Sequence, residues 1–222
     1  MQTPLYKFHP EDYDVVYDPA EDSFLLLDAL ESELECIKRA KPLVCVEIGP
    51  GSGIIITALA KALGYGNSHF VGVDINPHAC RMTKRTSELN SCHMDVVNMD
   101  LLGSFASGAV DLLIFNPPYV ATSAGGELLE EQIDQFARDR HELVKSWAGG
   151  FDGMAITNKV LEDLDRILAP GALFYLLLSA ENKPQEVMKG LSRRQFDCEI
   201  IIDRKIRGEH LYVLKIRRKR PK

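Results

Sequence analysis

Short apolar runs alternate along the chain with segments of helical periodicity, and no other feature constrains the fold as strongly. The runs at 43–48 and 69–74 are each followed by a helical segment, at 54–63 and 77–89. Strands that alternate with helices pair in parallel, because each helix returns the chain across one face of the sheet. We therefore predict an α/β fold built on a mostly parallel sheet, with helices on both faces.

The alternation continues to the C-terminus and ends in an antiparallel hairpin around Arg207-Gly208. The other predicted strands cover 94–97, 111–115, 172–179, 198–202 and 210–216, and the other helices cover 154–168 and 184–191. A further helix is predicted before the first strand, with Asp18 as its N-cap, Pro19 as its first residue and an apolar stripe that reaches Leu34. No repeat or linker is visible, so we predict a single domain over 1–222 that begins with an irregular segment at 1–17.

The composition argues against several classes of protein. The longest apolar run, 172–178, is too short to cross a bilayer, and no secretory signal is visible at the N-terminus. The five cysteines are scattered and odd in number, which indicates buried thiols in a reducing compartment. We therefore expect a cytoplasmic protein, with the nucleus as a second location. No group of His and Cys has metal-ligand spacing, so we predict no metal.

The net charge of −6 is unevenly distributed. A basic tail at 215–222 carries six basic residues, and the rest of the chain holds 20 basic against 32 acidic residues. An acidic body does not favour tight binding to duplex DNA, which needs many cations against the phosphates. We interpret the tail as a solvated end, with RNA contact or a nuclear address as the alternatives.

Polar motifs stand at the predicted strand ends, where parallel sheets bind their ligands. Gly49, Gly51 and Gly53 follow the first strand in the spacing G-x-G-x-G, and the acid Glu47 precedes them. This spacing differs from the G-x-G-x-x-G of dinucleotide-binding folds and suits a ligand with an ammonium and a sulfonium group. Asp74 ends the second strand, where an acid can accept hydrogen bonds from two ribose hydroxyls.

A polar turn that contains Asp100 and Leu101 ends the third strand. Asp100 can accept a hydrogen bond from an adenine amino group, but the sequence favours this role no more than an ordinary turn. The fourth strand ends more stiffly, in Asn116-Pro117-Pro118-Tyr119, because proline has no backbone N–H with which to continue the ladder.

These four motifs, in this order, resemble the class I S-adenosylmethionine-dependent methyltransferases. The last of them resembles the N-P-P-Y signature of enzymes that methylate a planar NH₂ group, namely adenine-N6 DNA methyltransferases and glutamine-N5 protein methyltransferases of the HemK type. An amide nitrogen is a poor nucleophile, because its lone pair is delocalised. Acceptance of its two N–H bonds by the Asn116 side-chain oxygen and the Pro117 carbonyl would hold it in one plane, with Tyr119 stacked on it.

Two further segments separate the branches of this group. Residues 16–28, VYDPAEDSFLLLD, are similar to the Y-x-P-A-E-D-[ST]-F-L-L-L-D segment of the eukaryotic and archaeal HemK-like enzymes, and 147–153 resembles their W-x-G-G-x-x-G segment. The similarity runs from about Tyr13 to the C-terminus. It implies a single-domain Rossmann-like class I methyltransferase fold with seven strands, S-adenosyl-L-methionine as cofactor, and the Gln of the Gly-Gly-Gln motif in a class 1 translation termination factor as acceptor.

The resemblance also assigns roles to residues. The implied catalytic residues are Asn116, Pro117 and Tyr119, and the implied substrate-binding residues are these three with Pro118 and Trp147. The implied cofactor-binding residues are Ser23, Glu47, Gly49, Gly51, Gly53, Asp74, Asp100, Leu101 and Asn116. Ser23 is almost as well explained as a first-turn hydroxyl, and Trp147 as a packing residue. The stretch 121–146 matches no motif that we can name, and we predict that it forms a lid on the substrate side.

In the branch that this chain resembles, the active form is a heterodimer with a small zinc-binding activator. The third strand is predicted at the sheet edge, where strand addition is possible, and we expect His69-Phe70-Val71 and Ala79-Cys80 to add apolar surface there. A short, solvated edge is the alternative. The alternative functions are adenine-N6 methylation of DNA, lysine methylation of proteins such as histones, and a non-catalytic scaffold.

Overall fold

The structure, a computed structural model, describes residues 1–64, 66, 68–121, 149–150 and 152–220. Its strands are β1 Val44–Ile48, β2 His69–Asp74, β3 Asp95–Asn98, β4 Val110–Phe115, β5 Leu168–Ser179, β6 Phe196–Ile206 and β7 Glu209–Arg218. In the described part they form one seven-stranded sheet in the order β3-β2-β1-β4-β5-β7-β6. The first five strands are parallel, and β7 pairs antiparallel with both β5 and β6. The predicted mostly parallel α/β sheet is confirmed.

Helices cover both faces of this sheet. They are α1 Glu21–Ser32, α2 Leu34–Ala40, α3 Ile54–Leu63, α4 Pro77–Leu89, α5 Ala155–Ile167 and α6 Pro184–Ser192, with 3-10 turns at Pro10–Asp14 and Ala180–Asn182. The apolar residues of α1 and α3 form one core layer, and those of α5 form the other. Burial of each leucine or isoleucine in these layers contributes about 1.5–3 kcal/mol. No helix in the described ranges has both the length and the apolar character of a membrane span.

The first helix begins later than the sequence indicates. Asp18 is not its N-cap, because the helix starts at Glu21 and Ala20 occupies the cap position in an extended conformation. Tertiary contacts override the local signal here: Val16 is buried against Met82 of α4, and residues 17–20 remain outside the helix. The helix also ends before Leu34, which belongs to α2.

The predicted solvated tail is wrong for residues 215–218, which belong to a strand, while Lys219 and Arg220 beyond it are exposed. Residues up to Arg218 belong to β7, whose alternating side chains Leu214 and Ile216 are fully buried. Lys215 lies between them on the opposite face and bonds to Glu33 at 2.6 Å. The basic run is therefore part of an alternating strand in which Lys215 pairs with Glu33 and Glu199, and composition alone does not reveal this period of two.

The prediction that β3 lies at the sheet edge is confirmed, but its expected apolar neighbours are not at the surface. Phe70 and Ala79 are only 1% and 3% exposed, because both side chains turn into the core. Val97 is the apolar side chain of β3 that reaches solvent, at 38% exposure. The edge is short, and beside it the His69 Nε2 lies 2.9 Å from the Asp95 Oδ2.

Candidate active site

The carboxyl ends of the three central parallel strands meet at one level of the sheet. In the register of β1 with β2 and β4, the last paired residues of all three strands are neighbours. The residues that follow these pairs, Gly49, Asp74 and Asn116, therefore lie in one row, with Asp74 as the last residue of β2. Three of the four predicted motifs are thus brought together by strand pairing alone, as expected for a ligand site in a parallel sheet.

The glycine loop after β1 needs glycine for its backbone conformation. Gly49, Gly51 and Gly53 have φ angles of 63°, 53° and 78°, in the region that disfavours a side chain. At Gly53 a Cβ atom would also lie 2.7 Å from the Thr83 Cα, so this glycine lets α4 approach. At Gly49 and Gly51 no heavy atom of the described residues lies within 4 Å of such a Cβ. The loop therefore presents an open backbone cradle.

Glu47 lies beneath this loop and is 1% exposed. Its Oε2 accepts a hydrogen bond from the Ile56 N–H at 2.9 Å. Burial raises the pKa of the Glu47 carboxyl to about 8, and Asp74 adds to the rise while the Ile56 hydrogen bond opposes it. A buried acid held by a single amide donor is suited to a cationic group placed above it, because that cation would offset the cost of ionisation.

We expect the thermal stability of the protein to fall as the pH rises from about 5 to 8, and to fall less in Glu47→Gln. The pKa of Glu47 is raised from 4.5 to about 8 on folding. The stability that this carboxyl contributes is therefore fully present below the unfolded pKa and is lost as the pH rises through the folded pKa. Glutamine keeps the shape and the acceptor but does not titrate. Parallel pH profiles of melting temperature for the two proteins would contradict this assignment.

Asp74 stands between the glycine loop and the next turn. Its Oδ2 accepts from the Gly51 N–H at 3.3 Å and its Oδ1 from the Asn76 N–H at 2.9 Å. Burial raises the pKa of this carboxyl despite these two bonds. The side chain of the next residue, Ile75, is 63% exposed, although it is apolar. The sequence interpretation did not include Ile75, and only the exposure of its side chain beside Asp74 singles it out.

Asp100 and Leu101 are part of a cavity that was not foreseen in the sequence. Leu101 has a φ of 49°, so the chain turns sharply after β3. The cavity has a volume of about 210 Å³, and residues 100–103 form one wall while α5 forms another through Lys159 and Val160. The lining of this cavity includes neither Asp74 nor the glycine loop, so the adenine contact of Asp100 stays a prediction.

Asn116 leaves β4 with its side-chain amide held in one orientation. Its Nδ2 donates to the Asp22 Oδ2 at 2.9 Å, whereas its Oδ1 is buried and has no hydrogen-bond partner among the described residues. Asp22 is 5% exposed and also accepts from the Tyr17 hydroxyl at 3.3 Å and the Ser23 N–H at 2.7 Å. Asp22 and Tyr17 were absent from the predicted site, although both belong to the Y-D-P-A-E-D segment.

The backbone of the Pro-Pro-Tyr turn is held from behind. The Tyr119 carbonyl accepts from the Asn182 Nδ2 at 3.1 Å, and Asn182 itself is only 3% exposed. Gly149 and Gly153 pack against this backbone. A Cβ atom at Gly149 would collide with the Pro118 carbonyl oxygen, and one at Gly153 would collide with the Tyr119 carbonyl oxygen. This close approach explains the spacing of the glycines in the W-x-G-G-x-x-G segment, which sequence similarity alone left without a physical role.

The phenol of Tyr119 reaches the tip of the closing hairpin, where its hydroxyl donates to the Glu209 Oε2 at 3.3 Å. Burial, together with the nearby Asp22 and Glu209 carboxylates, raises the pKa of Tyr119. The ring therefore stays neutral and available for stacking. Ser23 is buried and its hydroxyl donates to the Asp22 Oδ1 at 3.3 Å, which agrees with a first-turn hydroxyl as well as with a cofactor contact. Trp147 and the predicted lid, apart from Ala121, lie outside the described residues.

Known proteins are similar to this chain in sequence and in fold. Residues 20–142 match the family described as the methyltransferase small domain. Methyltransferase HEMK2 of Homo sapiens is 34% identical over 203 residues, which cover 90% of this chain and 88% of that protein. The eRF1 methyltransferase catalytic subunit mtq2 of Schizosaccharomyces pombe is 34% identical over 221 residues, which cover 94% of this chain and 91% of that protein.

A solved structure shares nearly the whole fold. It is that of the E. cuniculi Mtq2–Trm112 complex, described as responsible for the methylation of the eRF1 translation termination factor. Its matching chain is 27% identical, with a TM-score of 0.66 over 93% of this chain and 99% of that one. The similarity of fold therefore extends over most of both chains.

Proposed function

The chain belongs to the methyltransferase small domain family, and we propose that it methylates the side-chain nitrogen of the glutamine in the Gly-Gly-Gln motif of a class 1 translation termination factor. One observation carries this proposal: the Asn116 amide is fixed by Asp22 with its buried oxygen lacking a partner among the described residues. An oxygen held in this way is an acceptor for the N–H of another amide. The eRF1 methyltransferase of fission yeast, similar over most of its length, supports the same substrate.

The cofactor is S-adenosyl-L-methionine, and the residues of the cradle fit it. We propose that Glu47 lies under its ammonium group, that Asp74 accepts from its ribose hydroxyls, and that Asp100 and Leu101 border its adenine. The exposed Ile75 side chain then has an apolar partner in the adenine ring. The glycine loop leaves open space for the methionine part. When bound, the cofactor supplies a methyl group on a sulfonium centre.

In this proposal the residues of this chain orient the substrate amide, and no strong base is needed. In the proposed mechanism, the Asn116 Oδ1 and the Pro117 carbonyl accept the two N–H bonds of the substrate amide. The nitrogen is then held in one plane with its lone pair directed at the methyl group, and Tyr119 stacks on the amide. Orientation of this kind can supply roughly 7–11 kcal/mol of the barrier. The nitrogen would take the methyl group as the bond between the methyl carbon and sulfur breaks with its electron pair left on sulfur, and the nitrogen would then release one of its two protons to water.

The partner of this chain is proposed to be a small zinc-binding activator that adds to the sheet at β3. The similar E. cuniculi chain forms a complex with Trm112. In this chain β3 is four residues long, lies at the edge of the sheet and carries the exposed Val97. A free parallel edge with an exposed apolar side chain is a template for strand addition by a second protein.

We expect Val97→Lys to weaken the complex with the activator by a factor of roughly ten to one hundred, because the buried ammonium would have no partner. The matched control is Leu43→Lys, which puts the same side chain on an equally apolar residue outside β3 that is 66% exposed. Co-purification after co-expression measures the loss, and soluble yield should fall with it. Equal yields of the two variant complexes would show that the activator does not bind at β3.

A side-by-side assay tests the function itself. The complex of this chain and its activator is given methyl-labelled cofactor and one of four acceptors: the termination factor, the same factor with its motif glutamine replaced by alanine, duplex DNA, and histones. We expect label in the first acceptor only. Label in DNA or histones in place of the termination factor would establish one of the alternative functions. We propose the cytoplasm, where termination takes place, as the site of this reaction.

A further inference from the structure

The orientation of the Asn116 amide is decided outside the Pro-Pro-Tyr turn. An asparagine side chain can point either its oxygen or its NH₂ toward the same place, and the two orientations differ in shape very little. The difference matters here, because an NH₂ group in the place of Oδ1 would face the NH₂ of the substrate amide and repel it. Some neighbouring group must therefore favour one orientation.

Asp22 is the group that favours one orientation of the Asn116 amide over the other. As a carboxylate it only accepts hydrogen bonds, so the side of Asn116 that faces it must be the NH₂ group. The contact joins Nδ2 and Oδ2 at 2.9 Å, and both side chains are largely shielded from water. A hydrogen bond to a charged acceptor is about twice as strong as a neutral one. The opposite orientation would place two acceptors against each other.

Asp22 is itself held in place from three directions. It occupies the first turn of α1, where the amide dipoles favour a negative charge. Its Oδ1 accepts from the Ser23 N–H and from the Tyr17 hydroxyl. Burial raises the pKa of Tyr17, so this phenol stays protonated and remains a donor. The helix is anchored by leucines in its core layer, so the carboxylate cannot follow Asn116 if that side chain rotates.

We propose that Asp22 is a positioning residue, which fixes the Asn116 amide with its oxygen directed at the acceptor nitrogen. This inference rests on the proposed glutamine methylation, because it assigns Asp22 its effect through Asn116 and not through any contact with substrate. The N-terminal segment thereby takes part in catalysis: Tyr17 and Asp22 are contributed by residues that precede the whole sheet.

Asp22→Asn is the sharpest test, because it keeps the size of the side chain and removes one acceptor. The new amide can no longer receive Asn116 and its other donors at once, so Asn116 is free to turn its NH₂ toward the acceptor. We expect transfer to the termination factor to slow by roughly tenfold to one hundredfold, with cofactor affinity and melting temperature close to the wild-type values. Glu21→Gln is the matched control, since it removes a charge from the same helical turn at an exposed side chain.

A double-mutant cycle separates positioning from general damage. If Asp22 acts only through Asn116, Asp22→Asn changes the residual single-turnover rate of Asn116→Ala by less than about twofold. If the rate losses of the two single variants multiply in the double variant, the proposal is overturned. A wild-type rate in Asp22→Asn would also overturn it.

The orientation can also be measured without any acceptor. In ¹⁵N-labelled protein, the Asn116 side-chain NH₂ should exchange with solvent slowly in the wild type and rapidly in Asp22→Asn. Equal exchange would refute the positioning role. The wild-type complex could instead label no glutamine although the two proteins differ in exchange. That result would refute the proposed function and leave the orientation by Asp22 established.

Discussion

Replacement of Asn116 by alanine is expected to slow methyl transfer to the termination factor by a factor of about 10² to 10³. The Asn116 Oδ1 is buried and has no partner among the described residues, and the proposed mechanism gives this acceptor to the substrate amide. Alanine removes this acceptor, and the amide can then rotate so that its lone pair leaves the direction of the methyl group. Single-turnover transfer from labelled cofactor measures the loss.

Asn90→Ala is the matched control for this experiment. Asn90 is an amide at the end of α4 whose Oδ1 accepts from the Leu5 N–H at 3.0 Å and whose Nδ2 donates to the Leu5 carbonyl at 2.7 Å. Its removal deletes more hydrogen bonds than the removal of Asn116 but touches none of the proposed site. We expect the control to keep its rate. A near-normal rate in Asn116→Ala with a glutamine acceptor would contradict the role given to this residue.

The sequence was sufficient where the structural cause is local. The helix α4 was predicted at 77–89 and is found at Pro77–Leu89, because Pro77 fits the first helical position and the Asn76 side chain accepts from the His78 N–H at 2.9 Å. The glycine loop was predicted for the same kind of reason, since its positive φ angles exclude most other residues. Such signals depend on a few neighbouring residues and survive any tertiary arrangement.

The sequence was insufficient where the cause is a contact between distant segments. Asp22 and Asn116 are 94 positions apart, and Glu209 and Tyr119 are 90 apart. Periodicity carries no information about such pairs, so the residues that orient the acceptor turn were missed. The same limitation explains the wrong helix start at Asp18, where Val16 packs on α4 and residues 17–20 remain outside the helix.

The loop behind the acceptor turn leads to a second large effect. Gly153 has a φ of 70°, and a Cβ atom there would lie 2.0 Å from the Tyr119 carbonyl oxygen and 2.6 Å from the Asn182 Nδ2. These two atoms are hydrogen-bonded to each other at 3.1 Å. An alanine at 153 therefore collides with both atoms, and we expect the Tyr119 carbonyl to shift, together with the turn that carries Asn116 and Pro117.

We expect Gly153→Ala to slow methyl transfer by more than about one hundredfold, because a displacement of the order of 1 Å between reacting groups costs about that much. Cofactor affinity should change little, since Glu47 and Asp74 lie on other strands of the sheet. Gly108→Ala is the matched control: its φ of 67° imposes a similar backbone strain, but no described heavy atom lies within 4 Å of its Cβ. That strain amounts to about 1–2 kcal/mol in both variants. The collision is therefore the only large difference between the two variants, and equal transfer rates would show that the position of the Tyr119 carbonyl does not control the reaction.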